Sequence, residues 1–115
     1  MKHFISKLAL ILFATLLFSQ NALANSVTDS QVVGVIQVNE SGVMYLRPKG
    51  LTKWYGSGSN CPDATYVHIG PSAASYDQVL AMAIASKMNN TPMRFYGTCS
   101  SSGNYLLITY SFLTE

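Results

Sequence analysis

Charge is scarce in this 115-residue chain, with Asp, Glu, Lys and Arg together making up 10% of it, and two of its lysines, Lys2 and Lys7, lie at the extreme N-terminus. Beyond Ala24 the basic residues Arg47, Lys49, Lys53, Lys87 and Arg94 are matched by Asp29, Glu40, Asp63, Asp77 and Glu115. A near-neutral domain has no general electrostatic pull on nucleic acid or anionic lipid, so nucleic acid is not an expected partner. Arg47, Lys49 and Lys53 stand close together, the ordinary pattern of a solvated loop. Histidine is nearly absent as well, since His68 is the only one after His3. One histidine and two cysteines cannot complete a four-ligand zinc shell without added carboxylates, so no metal and no cofactor is expected. The same shortage leaves the many serines without a Ser-His-Asp arrangement. Gly56-Ser57-Gly58-Ser59 lacks the following Lys and the preceding apolar strand of a phosphate loop. The expectation is a binding or structural protein and not an enzyme.

No apolar run reaches the roughly 20 residues that span a bilayer. The longest uncharged apolar stretch, 8–18, follows Lys2 and Lys7 and precedes Ser19, Gln20 and Asn21. Ala22-Leu23-Ala24 supplies the small residues that a signal peptidase accepts. The pattern predicts a signal peptide over 1–24 and an exported domain over 25–115, secreted or periplasmic; the other reading is an uncleaved anchor. No cysteine follows the apolar run, which argues against lipid attachment. Cys61 and Cys99 both lie in the exported part, where an oxidising environment makes a disulfide the default. Closing the loop between them would stabilise a domain of this size by roughly 4 kcal/mol in the chain-entropy model.

The chain shows no repeat, no linker and no second domain. Residues 25–30 read as a short polar lead. Val32, Val33, Val35, Ile36 and Val38 make 31–38 a strand with Gly34 at a bulge or bend. Asn39-Glu40-Ser41-Gly42 is a turn, 43–47 a second strand, and Pro48 its end. A Gly- and Ser-rich loop over 49–60 precedes a third strand at 65–69. Tyr76, Val79, Leu80, Ala83, Ile84 and Met88 recur at helical spacing behind a capping box of Ser75 and Gln78, and Asn89-Asn90 with Pro92 marks the stop. Strands follow at 93–99 and 105–113, the last apolar enough to be buried on much of both faces.

Three strands, one helix and two strands predict a mainly β fold, an OB-fold-like five-stranded barrel (β-β-β-α-β-β) with one disulfide. That topology places Cys61 and Cys99 at the same barrel end. An open α+β sandwich is the structural alternative.

In the stretch Leu80-Ala81-Met82-Ala83-Ile84-Ala85-Ser86-Lys87-Met88-Asn89-Asn90-Thr91-Pro92-Met93-Arg94-Phe95-Tyr96-Gly97-Thr98-Cys99-Ser100, an Ala-rich helix ends in Asn and runs into a strand that closes on Cys. In this the chain resembles the OB-fold B subunits of bacterial A-B toxins, of the subtilase-cytotoxin-like and pertussis-toxin-like kinds. Small exported proteins of unknown function share the pattern. The resemblance implies a ring of five subunits with helices facing a central pore, recognition of cell-surface glycans, and an A subunit on another chain. The loop over 49–60 departs from that family, and no glycan-contacting residue of the family is matched to a position here.

Aromatic residues are the better clue to a ligand. Trp54 and Tyr55 lie in the polar loop, with Lys53 beside them, and Asn104 lies in the loop that shares their barrel end. A flat ring beside polar side chains can stack on the apolar face of a sugar while its neighbours take the hydroxyls. Trp54, Tyr55, Lys53 and Asn104 are therefore candidate ligand residues, although Trp54 could instead fold back over the barrel end. The helix is apolar nearly all round, which places Ala81, Met82 and Ala85 as candidate contacts in a homo-oligomer. The functional expectation is an exported glycan-binding module. The alternative is a periplasmic structural or accessory protein that contacts other proteins and no sugar.

Overall fold

The structure is a computed structural model and describes residues 25–50, 53–55 and 61–114. The expected signal segment, most of the Gly/Ser loop and Glu115 lie outside the described residues. The elements are β1 (Asn25–Val27), β2 (Val33–Val38), β3 (Met44–Pro48), β4 (Tyr66–Ile69), α1 (Tyr76–Asn89), β5 (Met93–Cys99) and β6 (Tyr105–Leu113). They form one mixed sheet in the order β1-β5-β6-β4-β3-β2, in which β4 and β6 run parallel and every other pair antiparallel.

The described sheet thus has six strands and is open, where the sequence predicted five strands closed into a barrel. The extra strand, β1, falls in the supposed polar lead. It has no apolar period to announce it, because backbone pairing makes it a strand: Asn25, Ser26 and Val27 lie opposite Thr98, Gly97 and Tyr96. Thr28 extends the contact, donating its N–H to the Phe95 carbonyl at 2.8 Å and accepting the Phe95 N–H on Oγ1 at 3.0 Å. Its hydroxyl replaces a ladder carbonyl, so a polar residue can be buried there without an orphaned donor. Gln31 and Met93 then exchange two backbone hydrogen bonds in an isolated bridge. The stretch from Asn25 to Val38 consequently follows β5 first and β3 afterwards, bending between the two ends of the sheet.

Period-two alternation decides which face is buried. Met44, Leu46 and Pro48 of β3, Val67 and Ile69 of β4, and Met93, Phe95, Gly97 and Cys99 of β5 all point inward. On β6 only Leu106 and Ile108 are buried, and Tyr105, Leu107, Tyr110 and Phe112 are exposed. The expectation that this strand would be covered on both faces fails because, among the described residues, the helix packs on the inner side and no second layer covers the outer face. A bulge shifts the β5/β6 register between Tyr96 and Gly97, so that Gly97 faces Ile108 and Tyr96 faces Tyr110. A Cβ on Gly97 would lie 1.8 Å from the Leu107 carbonyl oxygen, so only glycine allows this approach.

Helix α1 packs chiefly on β2. It buries Val79, Ala83 and Ser86, with Tyr76, Leu80 and Met82 partly covered, whereas Ile84 and Met88, expected in the inward stripe, face outward. The rotation follows from hydrogen bonding: the Ser86 hydroxyl accepts the buried Val33 N–H at 3.0 Å, a donor that a methionine could not satisfy. The capping box is also absent, since Ser75 makes no side-chain cap and does not adopt the extended conformation a cap requires. Instead the Tyr76 hydroxyl donates to the Gly42 carbonyl at 2.7 Å, pinning the first turn to the β2–β3 hairpin. The C-terminal stop is as the sequence indicates, with Asn90 at φ 54 and its N–H on the Ser86 carbonyl.

Cys61 and Cys99 are joined, with Cα atoms 5.8 Å apart. The bond ties the end of β5 to the segment leading into β4.

Candidate ligand-binding face

Trp54, the leading ligand candidate from the sequence, is 0% exposed. Its ring meets Phe95 edge-on at 5.0 Å, and its Nε1–H donates to the Leu46 carbonyl at 2.9 Å. Backbone bonds from Trp54 N to the Ala64 carbonyl and from Asp29 N to the Trp54 carbonyl hold the residue from both sides. Tyr55 is buried beside it, and burial raises its phenol pKa, with the nearby Ser26 side chain working against the rise and Asp29 adding to it. Neither residue presents a ring face to a ligand in this structure. The loop is anchored by its large apolar rings, which find more area inside the sheet than outside it.

Lys53 is exposed and pairs with Asp63 at 2.9 Å, an ion pair open enough to water to contribute little. Asn104 is exposed at the end of the Ser100–Asn104 turn, and its carbonyl accepts the Thr65 N–H at 3.0 Å, joining that turn to the approach to β4. On the helix, Ala81 is exposed, Ala85 half-buried and Met82 partly packed on the core. The exposed apolar stripe therefore runs through Ala81, Ile84 and Met88, with half-buried Ala85 beside it and Met82 at its margin.

The residues that do gather are on the outer face of the sheet. Tyr45 and Arg47 project from β3, Tyr66 and His68 from β4, and Tyr105 from β6. Cross-strand register puts Tyr45 opposite His68 and Tyr66 opposite Tyr105. Tyr45 stacks with His68 at 5.8 Å and Tyr66 with Tyr105 at 5.8 Å, while edge-on contacts of 5.9 to 6.1 Å join the two pairs. The Arg47 guanidinium lies 5.4 Å from the centre of the Tyr66 ring. All five side chains are half-buried or exposed, and among the described residues nothing hydrogen-bonds the hydroxyls of Tyr45, Tyr66 or Tyr105. Burial lowers the His68 pKa below its usual 6.5, so at neutral pH the ring is uncharged and can donate from one nitrogen while accepting at the other.

This arrangement offers flat apolar surface with polar tips at its rim. The signal for it was present in the sequence as the outward half of each strand alternation, Tyr45-x-Arg47 and Tyr66-x-His68. What sequence alone withheld was the parallel β4/β6 pairing that adds Tyr105 to them.

Among the described residues, an open mixed sheet with one helix on its inner face, one disulfide and an aromatic outer face make up a mainly β fold. Comparison of the chain with protein-family models, curated proteins and solved structures finds no match.

Proposed function

We propose that this chain is an exported recognition module, without catalytic activity of its own, that binds a cell-surface glycan on the Tyr45, Tyr66, His68 and Tyr105 face. The observation that carries the reading is the contiguous, half-buried to exposed aromatic cluster at the centre of the sheet, whose tyrosine hydroxyls have no hydrogen-bond partner among the described residues. Aromatic faces cover the C–H side of a sugar ring, and the free phenols, neutral imidazole and Arg47 can meet its hydroxyls.

The strand arrangement supports an OB-type reading of the fold. Counting β2 to β6 as five strands gives the order 1-2-3-5-4 with a parallel 3/5 pair, and the Gln31–Met93 bridge lies where a barrel would close. OB-folds bind oligosaccharides and oligonucleotides on the face containing β3 and β4 here, and the near-neutral charge favours the former. Export through a cleaved signal peptide belongs to the same reading, as does an A subunit on another chain if the protein is toxin-like.

A glycan array probed with the exported protein, purified from expressing cells, tests the proposal. Tyr66→Ala and Tyr105→Ala are each expected to weaken the best hit about tenfold, the scale of one lost aromatic stacking contact, with melting little changed. Absence of any hit on a broad array, or hits unaffected by both substitutions, would count against it.

A second reading, assembly of several copies, is favoured by the helix stripe, where Ile84 is 44% and Met88 76% exposed. Such a stripe is usually covered. Light scattering is expected to find a homo-oligomer, five subunits if the toxin resemblance extends that far, and Ala85→Glu to weaken it while the fold persists. A parent protein that is monomeric at micromolar concentration would leave the stripe to a different protein partner.

A further inference from the structure

At the far end of β6 from Tyr105, the strands β1, β5 and β6 surround an open cleft of about 450 Å³, lined by Val27, Arg94, Tyr96, Phe112, Leu113 and Thr114. The size falls within the range of small-molecule sites. The walls are apolar: Val27, Phe112 and Leu113 are all more than two-fifths exposed, a concentration of uncovered apolar side chains at one place. Among the described residues, Arg94 is the sole charged one of the lining, and no described carboxylate of β1, β5 or β6 lines the cleft.

The guanidinium is already positioned. Its Nε–H donates to the Thr28 carbonyl at 3.3 Å, and among the described residues its two terminal amino groups make no hydrogen bond or ion pair. Those groups form a fork suited to two carboxylate oxygens. Arg94 lies directly opposite Phe112 in the β5/β6 ladder, so the cationic fork and the largest apolar wall are cross-strand neighbours. The end of β6 is also fixed, because Thr114 donates to the Pro92 carbonyl from N at 2.8 Å and from Oγ1 at 3.1 Å. The cleft is therefore held open by the backbone of the sheet and does not depend on a loose terminus.

We infer that this cleft binds a small amphipathic carboxylic acid, with its alkyl or aryl body on Val27, Phe112 and Leu113 and its carboxylate on Arg94. The inference stands apart from the glycan reading, since the two sites share no residue. It is tested by titrating the isotope-labelled exported protein with decanoate and with decanol and following backbone amide shifts by NMR.

Decanoate is expected to shift the amides of Val27, Tyr96 and Phe112, to leave those of Tyr45 and His68 in place, and to bind at least about tenfold more tightly than decanol, since the two differ only in the charged head. Arg94→Gln should remove that preference, and Arg94→Lys should keep part of it. Circular dichroism shows whether each variant is folded, and the decanoate-to-decanol ratio on the parent protein tests the inference without any variant. Equal binding of acid and alcohol, shifts mapping elsewhere, or no binding at millimolar acid would overturn it. So would tighter binding by a peptide ending in Leu-Phe with a free carboxylate than by decanoate, which would assign the cleft to a protein C-terminus.

Discussion

Trp54→Ala is expected to destabilise the folded chain by about 3–5 kcal/mol, the range found when a buried aromatic side chain is truncated in a packed core. Two losses combine in the one change. The indole fills the space against Phe95, and its N–H is the partner of the Leu46 carbonyl in the middle of β3. Trp54→Phe separates them, keeping most of the packing and losing the hydrogen bond, for an expected loss of about 1–3 kcal/mol. Urea unfolding followed by far-ultraviolet circular dichroism measures both, since the chain has one tryptophan and the variants remove it as a fluorescent probe. A Trp54→Ala protein within about 1 kcal/mol of the parent would mean that the ring is not part of the core in solution, and would return it to the list of ligand residues.

The contrast between Trp54 and Tyr45 explains how far the sequence could be read. Strands with clean alternation were legible, and 93–99 and 105–113 agree with β5 and β6 to the residue. The disulfide was legible too, because compartment and element order each pointed to the same pair. β1 was not, since Ser26 and Thr28 are buried by pairing and hydroxyl bonding, and polar residues leave no periodic trace. The helix face was misjudged by a fraction of a turn because one buried hydrogen bond, Val33 to Ser86, outweighed the exposure of Ile84 and Met88.

The loop aromatics Trp54 and Tyr55, candidate ligand residues in the sequence, are buried in the fold, whereas the strand aromatics Tyr45, Tyr66 and Tyr105 are half-buried or exposed. A loop ring can turn inward without breaking a ladder. An outward strand ring is held outward by the pleat unless a second layer covers it. Among the described residues, no second layer covers Tyr45, Tyr66 and Tyr105, and this is a tertiary fact that strand alternation alone does not carry.

Replacing Cys61 and Cys99 together by alanine is expected to lower stability by about 4 kcal/mol, on the same scale as the tryptophan change and by a different route. The crosslink spans 38 residues of sequence, including β4, α1 and β5, so its removal mainly enlarges the unfolded ensemble. Native contacts near it should survive. The adjoining turn is held by its own bonds, with Ser100 N on the Tyr105 carbonyl at 2.8 Å, Gly103 N on the Ser100 carbonyl at 3.0 Å and Tyr105 N on Ser100 Oγ at 3.2 Å. Tyr105 is therefore expected to keep its place against Tyr66, and any glycan binding on that face should persist well below the lowered melting temperature. Urea unfolding of the double variant beside the oxidised parent gives the stability difference, and array binding at low temperature gives the second readout. A variant that stays folded yet loses binding would show that the disulfide positions the aromatic face, in addition to constraining the unfolded chain.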